Sequence, residues 1–481
     1  MKTLNRENLS INEKLPIKVV QFGEGNFLRA FVDYAIQELN KKAGFNGGVA
    51  VVQPIEHGMV NMLNDQDGLY TLFMNGIKKG EEIRDKELVT SIVKGINPYT
   101  DFDQYLALAQ EESLEFVISN TTEAGIAYDA NDTLDMQPQK SFPGKLTALL
   151  YHRFQYFNGN PTKGLTIIPC ELINYNSDTL KEIILRYVEE WELGDAFKQW
   201  VEEHNSFHNT LVDRIVPGYP KDEIESYNAL LDYKDNLIVT AETFFLWVIE
   251  GGEELKKKLP FEKTGLDVKI VDNMQPYRTR KVRILNGAHT ALVPLSILYG
   301  NETVKQSVDD AFTGAFLNEA VFEEIIPTLD MDKAELETFA DEVFDRFRNP
   351  FIKHLLSSIA LNSVSKFKVR VLPSLLEYVA EKQALPKHLT YAMACLIQFY
   401  KGQWKEMTLP VNDSEEVVAE FNRIWALPNL DEVAKETLGN VEFWGEDLNK
   451  VEGLTGAITL ALQEIETKGI EQGLKEFKDK I

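Results

Sequence analysis

Cysteine is nearly absent from this chain. Two in 481 residues, Cys170 and Cys395, exclude a disulfide framework and a cysteine-rich zinc site. Long apolar runs are missing too. No stretch approaches the ~20 residues a spanning helix needs, and the polar segment 1–16 lacks the apolar core of a signal peptide. A cytoplasmic protein without a membrane partner is expected. Basic residues are in deficit: 50 Lys and Arg against 75 Asp and Glu give a formal net charge of −25. That balance argues against nucleic acid and against anionic lipid surfaces as partners. An anionic small molecule would need a local positive pocket. Internal repeats, low-complexity stretches and heptads are also absent.

What remains is the composition of an ordinary globular protein, 44% hydrophobic and 26% charged. The chain is too long for one core, so two large domains are expected, 1–275 and 276–481. Residues 17–22 read as a short buried strand, and Gly23-Glu24-Gly25-Asn26 follows it. From Phe27 to Leu39 apolar residues recur at helical spacing, and residues 48–52 read as a second strand. Strand, glycine turn, helix, strand is a βαβ unit, so the first domain is expected to be α/β with a parallel sheet. Two more apolar runs end in Asn120-Thr121-Thr122-Glu123-Ala124-Gly125 and in Cys170-Glu171. Ligands of parallel α/β sheets bind at the carboxyl ends of strands, where these polar endings lie. Past residue 275 glycines thin out, and long helical patterns punctuated by proline predict a mainly α-helical second domain.

Gly23-x-Gly25 between a strand and a helix fits a dinucleotide turn. Glycine lets the backbone approach a pyrophosphate, and a helix N-terminus favours its charge. The third glycine of the usual pattern is replaced by Leu28. The second strand ends at Gln53-Pro54, where an acid for ribose hydroxyls is usual, and Glu56 follows. No arginine stands there for a 2′-phosphate, so NAD(H) is expected over NADP(H).

Lys281-x4-Asn286-x2-His289 is the densest chemistry in the chain. At ~100° per residue the three fall within roughly 140° of a helix. A lysine of lowered pKa can move a proton, an asparagine amide can donate to a developing alkoxide, and a histidine can orient either. Burial and neighbouring cations are expected to lower the lysine's pKa. Arg278, Arg280 and Arg283 make the same stretch an island of positive charge. Basic residues on a helix are more often a solvated face, so this pattern alone decides nothing. His204 and His208 have the i, i+4 spacing of metal ligands but no third ligand, and no metal is expected. His57, His152, His354 and His388 stand outside any motif.

The segments Gly23-Glu-Gly-Asn-Phe-Leu-Arg-Ala30, Thr121-Thr-Glu-Ala-Gly125, Leu211-Val-Asp-Arg-Ile-Val-Pro217 and Lys281-x4-Asn286-x2-His289 together resemble the mannitol dehydrogenase family of polyol-specific long-chain dehydrogenases. They span most of the chain in that family's order. The resemblance implies a Rossmann-like N-terminal domain, a helical C-terminal domain, NAD(H), no catalytic metal and a site in a cleft. It implies cofactor contacts at Gly23, Gly25, Asn26, Phe27, Gln53, Thr121 and Glu123. Lys281 would be the general acid/base, Asn286 the donor to the substrate oxygen, and His289 a positioning group. Asp213 would border the substrate, and Lys366 would match a substrate-contacting lysine. Two departures count. Polyol-oxidising members have Cys-Asp-Asn where this chain has Cys170-Glu171-Leu172, and Leu172 cannot donate. Loss of such a donor can cost ~10²-fold, which makes Asn176 and Asn174 the candidates to replace it. Ser358 stands where those members have an arginine. These departures argue for a substrate other than mannitol. The basic island suggests an anionic one, its carboxylate held by Arg278, Arg280, Lys368 or Arg370.

Overall fold

The computed structural model describes residues 2–122 and 124–481. The chain divides into two compact units. One takes the residues up to Asn75 together with Glu82–Met274, and the other takes Gly76–Glu81 with Gln275–Ile481. The segment Gly76–Glu81, read from sequence as part of the first domain, is the turn of a long hairpin. The backbone N–H of its Lys79 donates to Asp345 at 2.6 Å, which ties the turn into the helical unit.

In the first unit six strands form one sheet: β1 (Ile17–Phe22), β2 (Gly48–Val52), β3 (Ile92–Ile96), β4 (Phe116–Ser119), β5 (Thr166–Pro169) and β6 (Ser206–Phe207). Their order is β3-β2-β1-β4-β5-β6, with every neighbouring pair parallel. This is the doubly wound order of a Rossmann fold. The alternation of side chains explains the continuous apolar runs. Val19, Val49, Val51 and Ile118 enter one core cluster, while Val20, Ala50, Val52 and Val117 enter another on the opposite face. A parallel sheet covered on both faces needs apolar residues at every position.

The helix α1, residues 26–43, leaves β1 through the glycine turn. It begins as an α-turn, widens to a π-turn over Arg29–Asp33, and resumes over Tyr34–Ala43. Every residue of the π segment is buried. Phe31, Ala35 and Leu39 pack into the first core cluster. The helices α2 (Phe142–Tyr156) and α3 (Asn176–Glu190) follow β4 and β5. A smaller sheet pairs Thr210–Asp213 antiparallel with Leu246–Glu250, which in turn runs parallel to Val268–Val271.

Burial raises the Asp33 carboxyl to about 7, against a hydrogen bond from Gln21 and the Arg29 charge that both lower it. A raised acid favours folding while it is protonated, and that contribution is lost as pH rises from about 4 through about 7. The span corresponds to about 4 kcal/mol at most. Asp33→Asn is expected to flatten the pH dependence of urea unfolding in that window and to be more stable than the parent at pH 8. An unchanged profile would mean that the carboxyl is ionised throughout.

The second unit is helical: α4 (residues 275–299), α5 (Lys333–Phe347), α6 (Ser363–Arg370), α7 (Leu372–Lys382), α8 (Lys387–Phe399), α9 (Leu454–Lys468) and α10 (Ile470–Lys480) are its main elements. α8 is buried along its length from His388 to Phe399, as expected of a helix that is apolar all round. It packs beside α4 and α9. Among the described residues, no helix is long and apolar enough to cross a membrane.

Candidate active site

The glycine turn is built for close approach. Gly23 has φ +120°, and a Cβ there would come within 2.9 Å of the Asn120 carbonyl oxygen and of Leu28. Gly25 differs: its backbone is extended, and a Cβ would meet nothing within 4 Å. Open space above Gly25 adjoins a helix N-terminus that no side chain caps, at the carboxyl edge of a parallel sheet. Those features fit a dinucleotide pyrophosphate. Arg29 holds the turn from beneath. It is fully buried, and its guanidinium donates to the Glu24 carbonyl at 3.2 Å, the Leu237 carbonyl at 2.6 Å and Asn26 Oδ1 at 2.7 Å. Asn26 is thus engaged on its oxygen, and the Phe27 ring stacks on Phe31 at 4.9 Å.

Two residues expected to contact ligands are hydrogen-bonded within the fold. Gln53 is buried, its amide donates to the Ile55 and Glu56 carbonyls at 2.9 and 3.0 Å, and its oxygen accepts from the Val60 N–H at 3.4 Å. It shapes its own loop rather than offering an amide to a ribose. Asn176 is fully buried. Its amide donates to the Pro169 carbonyl at 3.0 Å and to the Glu171 carbonyl at 3.1 Å, and its oxygen accepts from the Thr210 N–H at 3.0 Å. Asn176 therefore clamps the end of β5 to the strand Thr210–Asp213 and has no donor left for a substrate. Leu172 and Asn174 are exposed on the same loop. Asp213 closes the buried end of its strand, opposite Leu246.

Glu171 has a role that the sequence reading missed. It is buried, and one carboxylate oxygen accepts from both the backbone N–H and the hydroxyl of Thr121 at 2.9 Å. The other accepts from the Ser119 hydroxyl at 3.0 Å. Burial pushes its pKa up, and these hydrogen bonds oppose the rise. The carboxylate thereby fixes the ends of β4 and β5 against each other and sets the position of Thr121. Glu123 lies outside the described residues.

In the second unit, Lys281–Asn286 is a π-turn inside α4. The Gly287 N–H bonds back to the Val282 carbonyl, five residues earlier, so residues five apart come onto one face. On a regular α-helix Lys281 and Asn286 would stand about 140° apart, and the π-turn narrows that angle. Lys281, Asn286 and His289 are all partly exposed, while Ile284 and Ala288 between them are buried. A Cβ on Gly287 would lie 2.9 Å from the Arg370 carbonyl oxygen. Glycine therefore lets the end of α6 approach α4 closely beside His289.

His289 stacks on Phe347, ring centroids 4.0 Å apart and planes 23° apart. Burial, followed by the charges of His354, Arg346 and Arg370, holds it well below the usual imidazole range. It is therefore neutral near pH 7, and its buried Nε2 has no hydrogen-bond partner among the described residues.

Two members of the positive island have structural partners. Arg280 is 2% exposed, pairs with Glu335 at 3.0 Å and lies over the Phe339 ring. Arg283 bonds the Ser374 hydroxyl and Glu377, both at 2.7 Å. These two brace α4 against α5 and α7, so Arg280 is withdrawn from the candidates for holding a carboxylate. Arg370 is half-buried, and among the described residues no carboxylate pairs with it. Burial alone lowers its pKa. Lys366, one turn earlier on α6, donates to the Ile359 carbonyl at 2.9 Å. Its pKa is lowered by burial and then by Arg370, against the opposing charge of Asp413.

His204 and His208 stand apart from this region. His204 ends its helix exposed, and His208 Nδ1 lies 2.7 Å from the Glu250 carbonyl. Among the described residues, no group of three or more His, Cys, Asp or Glu could hold a metal ion. Both cysteines are buried.

With this geometry in place, comparison with known proteins is direct. Residues 17–263 match the mannitol dehydrogenase Rossmann domain and residues 273–466 the mannitol dehydrogenase C-terminal domain. The chain belongs to the mannitol dehydrogenase family. Altronate oxidoreductase of Bacillus subtilis (strain 168) is 46% identical over 479 residues, covering 99% of this chain and 98% of that protein. Altronate oxidoreductase of Escherichia coli O139:H28 is 46% identical over 481 residues, covering 99% of each. Two solved structures share the fold at 21% identity. A D-sorbitol dehydrogenase in substrate-free form has a TM-score of 0.81 over 98% of this chain and 100% of its own. Pseudomonas fluorescens mannitol 2-dehydrogenase, in a ternary complex with NAD and D-mannitol, has a TM-score of 0.66 over 100% of both chains.

Proposed function

We propose that the chain is an NAD(H)-dependent oxidoreductase that interconverts D-tagaturonate and D-altronate. The observation that carries the acid substrate is Arg370, a half-buried guanidinium beside His289 that has no carboxylate partner among the described residues, in a protein of net charge −25. Two nearly full-length relatives named altronate oxidoreductase support the same reading.

In the reductive direction a bound NADH supplies the hydride that becomes the new C–H bond. The N-terminus of α1 and the space at Gly25 would hold the pyrophosphate, and Thr121, set by Glu171, would contact the cofactor. Lys281 gives its proton to the former carbonyl oxygen as that oxygen becomes an alkoxide. Asn286 donates to the same oxygen while charge develops. Oxidation runs the steps in reverse, with Lys281 as base. Arg370, with Lys366, holds the substrate carboxylate by charge-assisted hydrogen bonds.

The test is NADH oxidation at 340 nm with tagaturonate, fructuronate and fructose in parallel, each repeated with NADPH. Preference for tagaturonate with NADH is expected. Preference for fructuronate would keep the mechanism and change the substrate. Activity confined to fructose would overturn the role of Arg370, and no activity with any of them would leave a nucleotide-binding protein without turnover.

A further inference from the structure

His289 is packed by two aromatic neighbours. Phe347, the last residue of α5, lies nearly parallel to it. His354 stands almost perpendicular, ring centroids 5.2 Å apart and planes 84° apart. Edge-to-face contact is electrostatically favourable, since the positive edge of one ring meets the negative face of the other. His354 sits outside every sequence motif, 65 residues from His289, yet its backbone is pinned. The Val304 N–H donates to the His354 carbonyl at 3.0 Å, and the Leu356 N–H donates to the Glu302 carbonyl at 3.0 Å. Thr303 and Leu355 form an isolated antiparallel bridge between these bonds. A loop residue fixed by its backbone on both sides presents its ring from a constant position.

The Nε2 of His289, without a partner among the described residues, gives that position a consequence. A buried ring nitrogen without a hydrogen bond needs an explanation, and one is that its partner arrives with a ligand. Whether it meets that partner depends on the plane of the ring. We propose that His354 is a positioning residue for the reaction: its perpendicular ring, with Phe347, fixes the plane of His289 and so the direction in which Nε2 faces the substrate. The ligand's identity rests on the function proposed above, whereas the ring geometry does not.

The experiment compares the full-length parent with His354→Leu, which keeps bulk without a ring, and His354→Phe, which keeps an aromatic edge without nitrogens. Turnover of tagaturonate, thermal unfolding and the ring-nitrogen NMR signals of ¹⁵N-histidine-labelled protein are read on each. His354→Leu is expected to lower kcat at least tenfold with KM within about threefold, an unfolding temperature close to the parent's, and shifted His289 ring signals. His354→Phe is expected to restore kcat to within about threefold of the parent. If His354→Leu does not fold, His354→Gln takes its place with the same expected result. Parental kcat in the ringless variant, equal impairment of both variants, or unmoved His289 signals would each overturn the proposal. A parent inactive on tagaturonate would end the functional reading instead, and the His289 signals alone would then decide: shifted in the ringless variant they support His354, and unmoved they overturn it.

Discussion

Lys281→Ala is expected to reduce turnover of the keto acid by at least ~10³-fold while the dissociation constant for NADH stays within about twofold of the parent's. The expectation follows from where the lysine stands. It opens the π-turn of α4, one π-repeat before Asn286, and shares a partly exposed face with Asn286 and His289. General acid–base catalysis by a positioned side chain contributes ~10²–10⁴-fold. Lys281 is the group of this set that can carry a proton to the oxygen, because Asn286 does not titrate and burial keeps His289 neutral. The glycine turn belongs to the other unit. Rapid-mixing measurement of NADH oxidation, paired with titration of NADH fluorescence, separates the two effects. Lys281→Met controls for lost packing and is expected to be as inactive as alanine. A Lys281→Ala variant that keeps turnover within tenfold of the parent would remove the lysine from the chemistry. A variant that also loses NADH binding would mean the substitution disturbs more than the proton.

The fold was legible because its signals are local. Continuous apolar runs, a glycine turn and a helical stretch spell a βαβ unit within the first 52 residues, and proline-punctuated helical patterns mark the second unit. Lys281, Asn286 and His289 stand out as a candidate set for the same reason, lying within nine residues of one another. The π-turn was not legible, because apolar periodicity cannot distinguish one inserted residue per turn from an ordinary helix. Nor were the partners of each charge. Arg280, Arg283 and Arg370 look alike in sequence, and only the positions of Glu335 and Glu377 separate the two structural guanidiniums from the remaining one. The internal hydrogen bonds of Asn176 and Gln53 were hidden for a related reason. An amide at the end of a strand is equally suited to a ligand or to its own backbone, and here the backbone engages both. His354 and Glu171 act through contacts between distant segments, which no motif records.

Arg370→Gln is expected to raise KM for the acidic ketose by ~10–100-fold and to leave KM for a neutral ketose unchanged. A hydrogen bond to a charged group contributes about 1.5–3 kcal/mol, and ~1.4 kcal/mol is a tenfold change in affinity. The guanidinium is half-buried, so its interaction with a carboxylate is less screened than at a free surface. Its neighbours do not replace it. Arg280 and Arg283 are committed to Glu335 and Glu377, and Lys366 already donates to the Ile359 carbonyl. Arg370→Lys is expected to recover only part of the affinity, because an ammonium cannot make the planar two-point contact of a guanidinium. The kinetic signature is what discriminates. Loss of ground-state binding raises KM with kcat little changed, whereas a structural collapse of α6 against Gly287 would lower kcat on acidic and neutral ketoses alike. The decisive quantity is the ratio of kcat/KM for tagaturonate over fructose, measured in the parent and in both variants. A fall in that ratio of tenfold or more places the carboxylate on Arg370. An unchanged ratio would move the carboxylate to Arg278 or Lys368, the remaining cations of the original set.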